Sequence, residues 1–164
     1  VGQYRDNRLV VIKVRLTSEI AKLQRRQYYR LELLHDIEYR LLTEKDEEDS
    51  KNNGKKEQNN EKFEHNWIKG AIIDISGGGA RFSSAVQHKK GDRIRIKLEL
   101  ELGSKQISME PDAEVLASER VLNRYDLYEH RVQFYNISKK DREDLIKYIF
   151  EQDRKKRKNE KADI

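Results

Sequence analysis

The run WIKGAIIDIS, residues 67–76, is the most apolar stretch of the chain. The glycine triplet Gly77-Gly78-Gly79 ends it, and ARFS at 80–83 then restarts in the opposite sense. An isoleucine-rich run of ten residues stopped by turn residues is a strand feeding a return strand, not a helix. Alternation along the run sends Ile73 and Ile75 toward a core and puts Asp74 and Ser76 together on the other face.

The same period of two continues on both sides. Downstream, RIRIKLELEL at 93–102 turns Ile94, Ile96, Leu98, Leu100 and Leu102 inward and Arg95, Lys97, Glu99 and Glu101 outward. Gly103-Ser104 marks a hairpin into Gln106–Met109. Ala113–Val121 and LYEHRVQFYN at 127–136 supply two more strands, the last with Val132 and Phe134 apolar. Upstream, Tyr28–Leu42 carries Tyr29, Leu31 and Leu33, then Ile37, Tyr39 and Leu41, with a kink expected at His35-Asp36. Residues 8–16 (RLVVIKVRL) place Val10, Ile12, Val14 and Leu16 on one side of a half-buried strand. Residues 17–26 break the pattern and read as a connector holding at most one helical turn.

After Asn136 the period changes. Ser138 followed by Asp141 approximates a capping box, and Leu145, Ile146, Ile149 and Phe150 share one helical face. The helix is expected to run on into RKKRK at 154–158, where its apolar face is lost. Six or seven short strands closed by one helix predict an all-β fold: a six-stranded antiparallel barrel with a C-terminal helix. The barrel and helix are assigned to 18–150 and a basic helix end and tail to 151–164. Between two strands lies a polar insertion, 43–66, whose one apolar residue is Phe63. It is expected to be a mobile, solvated loop, because it cannot offset its ordering entropy by burial.

Composition bounds the rest. The chain has 164 residues, 40% of them charged, with 35 Lys+Arg against 30 Asp+Glu, a net charge of +5. Leu, Ile, Val and Phe make up a quarter of it, above the ~20% below which charged chains stay unfolded. The positive balance favours anionic partners. With no cysteine there is no disulfide framework, thiolate metal site or cysteine nucleophile. No apolar window is long enough for a membrane span and no secretory signal opens the chain, which fits a cytoplasmic protein. The first residue is Val, which suggests a chain cut from something longer.

Catalysis finds no foothold, and the reading is that this is not an enzyme. GxxxxGK[ST], GxSxG and HExxH are absent, and the glycine triplet does not fit GxGxxG. His35, His65, His88 and His130 lie far apart in sequence, none at metal-ligand spacing, and read as surface or hydrogen-bonded histidines. No metal or cofactor is implied.

Two motifs remain. QRRQYYR at 24–30 puts Arg25, Arg26 and Arg30 where a connector meets a strand, with tyrosines between them. Arginines four apart arise about 1.5 times by chance in this composition and occur twice, so position rather than spacing sets this pair off. Asp74-Ile75-Ser76-Gly77-Gly78-Gly79 fits D-x-S-x-x-G, expected about 0.03 times. Its glycines suit either a turn needing positive φ or a close backbone approach to a ligand. Together the motifs suit a guanine nucleotide. An arginine fork satisfies guanine O6 and N7 or a phosphate. A carboxylate and a hydroxyl accept from guanine N1–H and N2–H.

The pair RRxxxR…DxSxxG, with DISGGGARF, RVQF and a final helix reading DLIKYIFEQDRKKRK, resembles the PilZ family of bacterial cyclic di-GMP receptors over roughly residues 20–158. The strand at 8–16 and the ending are similar to YcgR-type flagellar-brake proteins. That resemblance implies a PilZ-type barrel preceded, at 1–17, by the leftover last strand of a missing N-terminal domain. It implies cyclic di-GMP on the outer barrel wall. Arg26 and Arg30 would reach over it, Asp74, Ser76, Gly77, Gly78 and Gly79 would hold a guanine, and Arg25 would be the next phosphate or stacking contact. Arg81, two residues past the motif and outward-facing, is an additional candidate. Ligand binding would order the connector 17–30 and regulate motility through a protein partner such as a flagellar motor or switch component. Arg131 stands where the family usually has glycine. The rival readings are a PilZ-fold interaction module that binds no nucleotide and a nucleic-acid binder working through RKKRK. The first should show a broken motif and the second should show stacking aromatics on a basic face, and neither is seen.

Overall fold

The computed structural model describes residues 2–6, 9–19, 24, 26–43, 46 and 66–162. Seven of its strands form one antiparallel sheet: β3 (Arg30–Leu41), β4 (Ile68–Ser76), β5 (Gly79–Ser84), β6 (Arg93–Leu102), β7 (Lys105–Met109), β8 (Asp112–Arg120) and β9 (Tyr128–Asn136). Their spatial order is β3-β4-β5-β9-β8-β6-β7. Glu38–Leu41 of β3 also pairs with Ile94–Lys97 of β6, which closes six strands into a ring and leaves β7 hairpinned onto the far half of β6. The six-stranded barrel expected from the sequence is the one observed. Closure removes the free edges that a small antiparallel sheet would otherwise present. Gly103, with φ +61°, makes the β6–β7 turn where the sequence places a hairpin.

The inward rows fill the interior. Ile94, Ile96, Leu98 and Leu100 from β6 meet Ile72 and Ile75 from β4 and Phe82 from β5, all essentially without exposure. Helix α1 (Lys139–Ala162) closes one end, where Leu145, Tyr148 and Ile149 join the same cluster. Ser138 starts the helix as expected: its Oγ accepts from the Asp141 N–H at 3.0 Å and donates to Asp141 Oδ2 at 2.7 Å. From Arg154 onward every helical residue with a described side chain is exposed, where the apolar face runs out.

A polar network crosses the core. Tyr39 Oη lies 2.7 Å from Ser84 Oγ and 2.8 Å from His88 Nε2, and Ser84 Oγ lies 3.0 Å from His130 Nε2. The two histidines, scattered in sequence, are brought together with ring centroids 5.0 Å apart. Burial, and then the neighbouring His88, push the His130 imidazole down to about 4; burial lowers His88 as well.

Several sequence expectations need correction. The strand read over 8–16 spans only Leu9–Lys13 (β2) and is not alone, since Gly2–Asp6 (β1) pairs with it antiparallel. Its apolar face is not half-buried either: Ile12, Val14 and Leu16 are 62–68% exposed, because nothing described packs over them. Residues 20–23 and 25 of the connector, where one helical turn is expected at most, lie outside the described residues. In β3 the irregularity falls at Leu33-Leu34, where the register slips against β4, not at His35-Asp36. In β4 a bulge at Ile73 sets Ile73 and Asp74 against the single residue Arg81, so Ile72 and Ile75, not Ile73 and Ile75, enter the core. Most of the insertion 43–66 lies outside the described residues; within it, Asp46 is held by Arg40 through two bonds of 2.7 and 3.0 Å.

Candidate functional site

Register brings the two motifs to one place on the barrel wall. Arg30 opens β3 directly opposite Ser76 on β4, and Glu32 lies opposite Asp74. Across the next ladder Ser76 faces Gly79 and Asp74 faces Arg81. A groove of about 930 Å³ opens over these strands, lined by Arg26 and Arg30 on one side and by Asp74, Ser76, Gly79 and Arg81 below. Gly78 also reaches it. Gly77 does not: it is buried beneath Tyr28 and Ile146. Arg25 lies outside the described residues.

The glycine triplet is explained by close approach rather than by turn conformation, since none of the three has positive φ. A Cβ on Gly77 or Gly78 would stand 2.9 Å from the Tyr28 ring. A Cβ on Gly79 would run into the carbonyl oxygen of Val132 on β9, with Gln133 Cα a further 3.2 Å contact. The triplet is therefore a seat for Tyr28 and a point where two strands press together. Ser76 Oγ bridges the turn, accepting from the Gly78 N–H at 3.3 Å and donating to the Gly79 carbonyl at 3.2 Å.

Tyr28 and Tyr29, read as part of a strand, do different work. The Tyr28 hydroxyl accepts from Arg142 Nη1 of α1 at 3.0 Å. Tyr29 donates to Asp153 Oδ1 at 2.9 Å and stacks on Phe150, with centroids 6.0 Å apart. Both tie the segment carrying the arginines to the C-terminal helix.

Electrostatically the groove is mostly cationic. Arg81 Nε donates to Asp74 Oδ2 at 2.6 Å and its Nη1 reaches Glu129 at 3.3 Å. The bond to Asp74 holds the Arg81 guanidinium still more firmly protonated. Among the described residues Asp74 Oδ1 receives no hydrogen bond. Arg26, Arg30 and Arg131 are exposed on the groove and make no ion pair among the described residues. Glu32, Gln133 and Leu116 line it too and were not singled out from the sequence. For Gln133 a signal existed: the inward pair Val132/Phe134 puts Arg131 and Gln133 on the outer face. Which strand β9 would adjoin was not readable.

Comparison with known proteins bears on this geometry. A family profile described as PilZ domain matches residues 24–151. No curated protein matches the chain in sequence. Among solved structures, the chain is similar to the Bacillus subtilis inhibitor of motility MotI/DgrA at 17% identity and TM-score 0.63, over 94% of this chain and 64% of that one. It is similar to Escherichia coli YcgR in complex with c-di-GMP at 20% identity and TM-score 0.55, over 86% and 50%. The separate PilZ domain of that YcgR, also with c-di-GMP, gives 19% identity and TM-score 0.54, over 85% and 98%. The chain thus spans less than two thirds of the two longer proteins.

Proposed function

The chain belongs to the PilZ domain family, and from that premise we propose that it is a cyclic di-GMP receptor binding its ligand in the outer-wall groove. One observation carries the reading: the fold brings Arg26 and Arg30 together with Asp74, Ser76 and Gly79 around a single groove. The arginines supply paired N–H donors to phosphate and to guanine O6/N7. Asp74, through Oδ1, and the Ser76 hydroxyl accept from the guanine N1–H and N2–H edge. Gly79 lies beside them on the groove. The solved complex of YcgR with c-di-GMP supports the same ligand.

Binding works through the connector. Tyr28 and Tyr29 are its fixed end, held on α1, so the part that closes over the ligand lies upstream of Tyr28 and carries Arg26. Ordering it reorients whatever precedes it, and a protein partner such as a flagellar motor or switch component reads that change. The ordering cost is met by contacts that exist only in the bound state.

Calorimetry with cyclic di-GMP tests the reading. Arg26→Ala and Arg30→Ala each remove a charge-assisted bond worth about 1.5–3 kcal/mol and should weaken binding about ten- to a hundredfold. Unchanged affinity in both variants would overturn it.

A further inference from the structure

The motif residues occupy three strands of the wall, β3, β4 and β5, yet the groove extends over two more, β9 and β8. Asp74 on β4, Arg81 on β5, Arg131 on β9 and Ala117 on β8 are successive register partners. Side chains in such a row project to the same face, so Arg131 stands beside Arg81 over the same groove. Like charges directly opposite one another on neighbouring strands are unfavourable. Arg81 is compensated by Asp74 at 2.6 Å and Glu129 at 3.3 Å. Arg131 is exposed and has no ion-pair partner among the described residues. A bulge in β8 puts Leu116 at the groove edge beside it, and its row neighbour Ala117 is small.

We propose that Arg131 is a ligand-contacting residue whose guanidinium takes the phosphodiester on the side of the ligand away from the guanine at Asp74. The proposal rests on the cyclic di-GMP reading above and adds a contact on a fourth strand, β9. Distance supports it. Two strand spacings, about 10 Å, separate Asp74 from Arg131, so a guanine at Asp74 and Ser76 leaves the remainder of a cyclic dinucleotide over β5 and β9. An anion there neutralises the one cation of the row that the protein leaves uncompensated.

Calorimetry and thermal melting on the full chain test this, with Arg131→Ala, Arg131→Gln and Arg131→Lys beside Arg30→Ala. Arg131→Ala and Arg131→Gln should weaken cyclic di-GMP binding about tenfold or more, and Arg131→Lys should recover most of the loss because the charge remains. The deficit should shrink as salt is raised. Without ligand, the Arg131→Ala melting temperature should equal or exceed wild type, because a like-charge pair has been relieved. If Arg30→Ala loses affinity while Arg131→Ala and Arg131→Gln bind as wild type does, the proposal is overturned and the receptor reading stands. A wild-type chain that takes up no cyclic di-GMP overturns both.

Discussion

Tyr28, midway between the two hook arginines, accepts a hydrogen bond from Arg142 of the C-terminal helix at 3.0 Å, and the same guanidinium lies 5.7 Å from the centre of its ring. The chain between Arg26 and Arg30 is therefore pinned to the helix and seated on the glycine turn, which fixes Arg30 and anchors the end of the segment that carries Arg26. Pre-positioning of this kind reduces what binding must spend on ordering. Arg142→Ala removes a hydrogen bond and a cation–π contact made by a residue outside the groove lining. It should weaken cyclic di-GMP binding about three- to tenfold. Its melting temperature should stay within a few degrees of wild type, as for other part-exposed positions. A variant that binds as wild type does would show that the pin does not position the hook.

The glycine triplet splits into two roles that substitutions can separate. Gly79→Ala drives a methyl group into the Val132 carbonyl of β9, where backbone meets backbone and neither can yield cheaply. Overpacking costs about 1–3 kcal/mol, and more where backbone must move, so thermal melting should show a marked loss of stability. At Gly78 the added methyl meets the Tyr28 ring at 2.9 Å, a side chain that can swing aside. Gly78→Ala should keep its melting temperature but bind more weakly, having unseated the hook. Lost binding in Gly79→Ala alone is thus no proof of ligand contact.

The buried histidines predict an acid-sensitive core. In the unfolded chain His130 protonates near 6.5, whereas in the folded barrel it resists until about 4. The unfolded state therefore binds the proton first. This contribution to stability is complete above pH 6.5, falls as pH drops below it and is exhausted near pH 4, worth up to about 3 kcal/mol. His88, also lowered, acts in the same direction. Urea unfolding at pH 7.5 and 4.5 should show the loss, and His130→Gln should reduce its pH-dependent part. An unaltered pH slope in that variant would exclude His130 as the source.

How much of this was legible in the sequence depends on what sets each feature. Strand β6 reads cleanly because its inward face is buried along its length and its outward face is solvated, so alternation is unbroken. The helix start reads because Ser138 and Asp141 act locally. Bulges do not: Ile73 has the hydrophobicity of a core residue, and only pairing with β5 reveals that it is the extra one. Tyr28 and Tyr29 fit a strand pattern, yet their partners Arg142, Phe150 and Asp153 lie more than a hundred residues on. Separations of 42 and 50 residues likewise hid the His88–His130 contact and the Arg81–Arg131 row. The motif residues were legible because strand alternation alone puts Asp74 and Ser76 on one face; their meeting with Arg30 is a matter of register, which no local signal carries.

The Asp74–Arg81 pair separates recognition from positioning. Arg81 Nε holds Asp74 Oδ2 at 2.6 Å, fixing the carboxylate plane; on the proposed reading Oδ1 then accepts from the guanine edge, whose donors adenine does not match. Asp74→Ala should therefore lose its preference for cyclic di-GMP over cyclic di-AMP. A site built to pair a polar edge discriminates largely through the group left unpaired when that edge is absent. Arg81→Ala keeps both carboxylate oxygens but frees the side chain to rotate, so affinity should fall several-fold while the guanine preference survives. Competition titrations with the two dinucleotides read both quantities at once. An Asp74→Ala protein that still selects cyclic di-GMP would take Asp74 out of guanine recognition. An Arg81→Ala protein that loses the preference would make Arg81, rather than Asp74, the residue that reads the base.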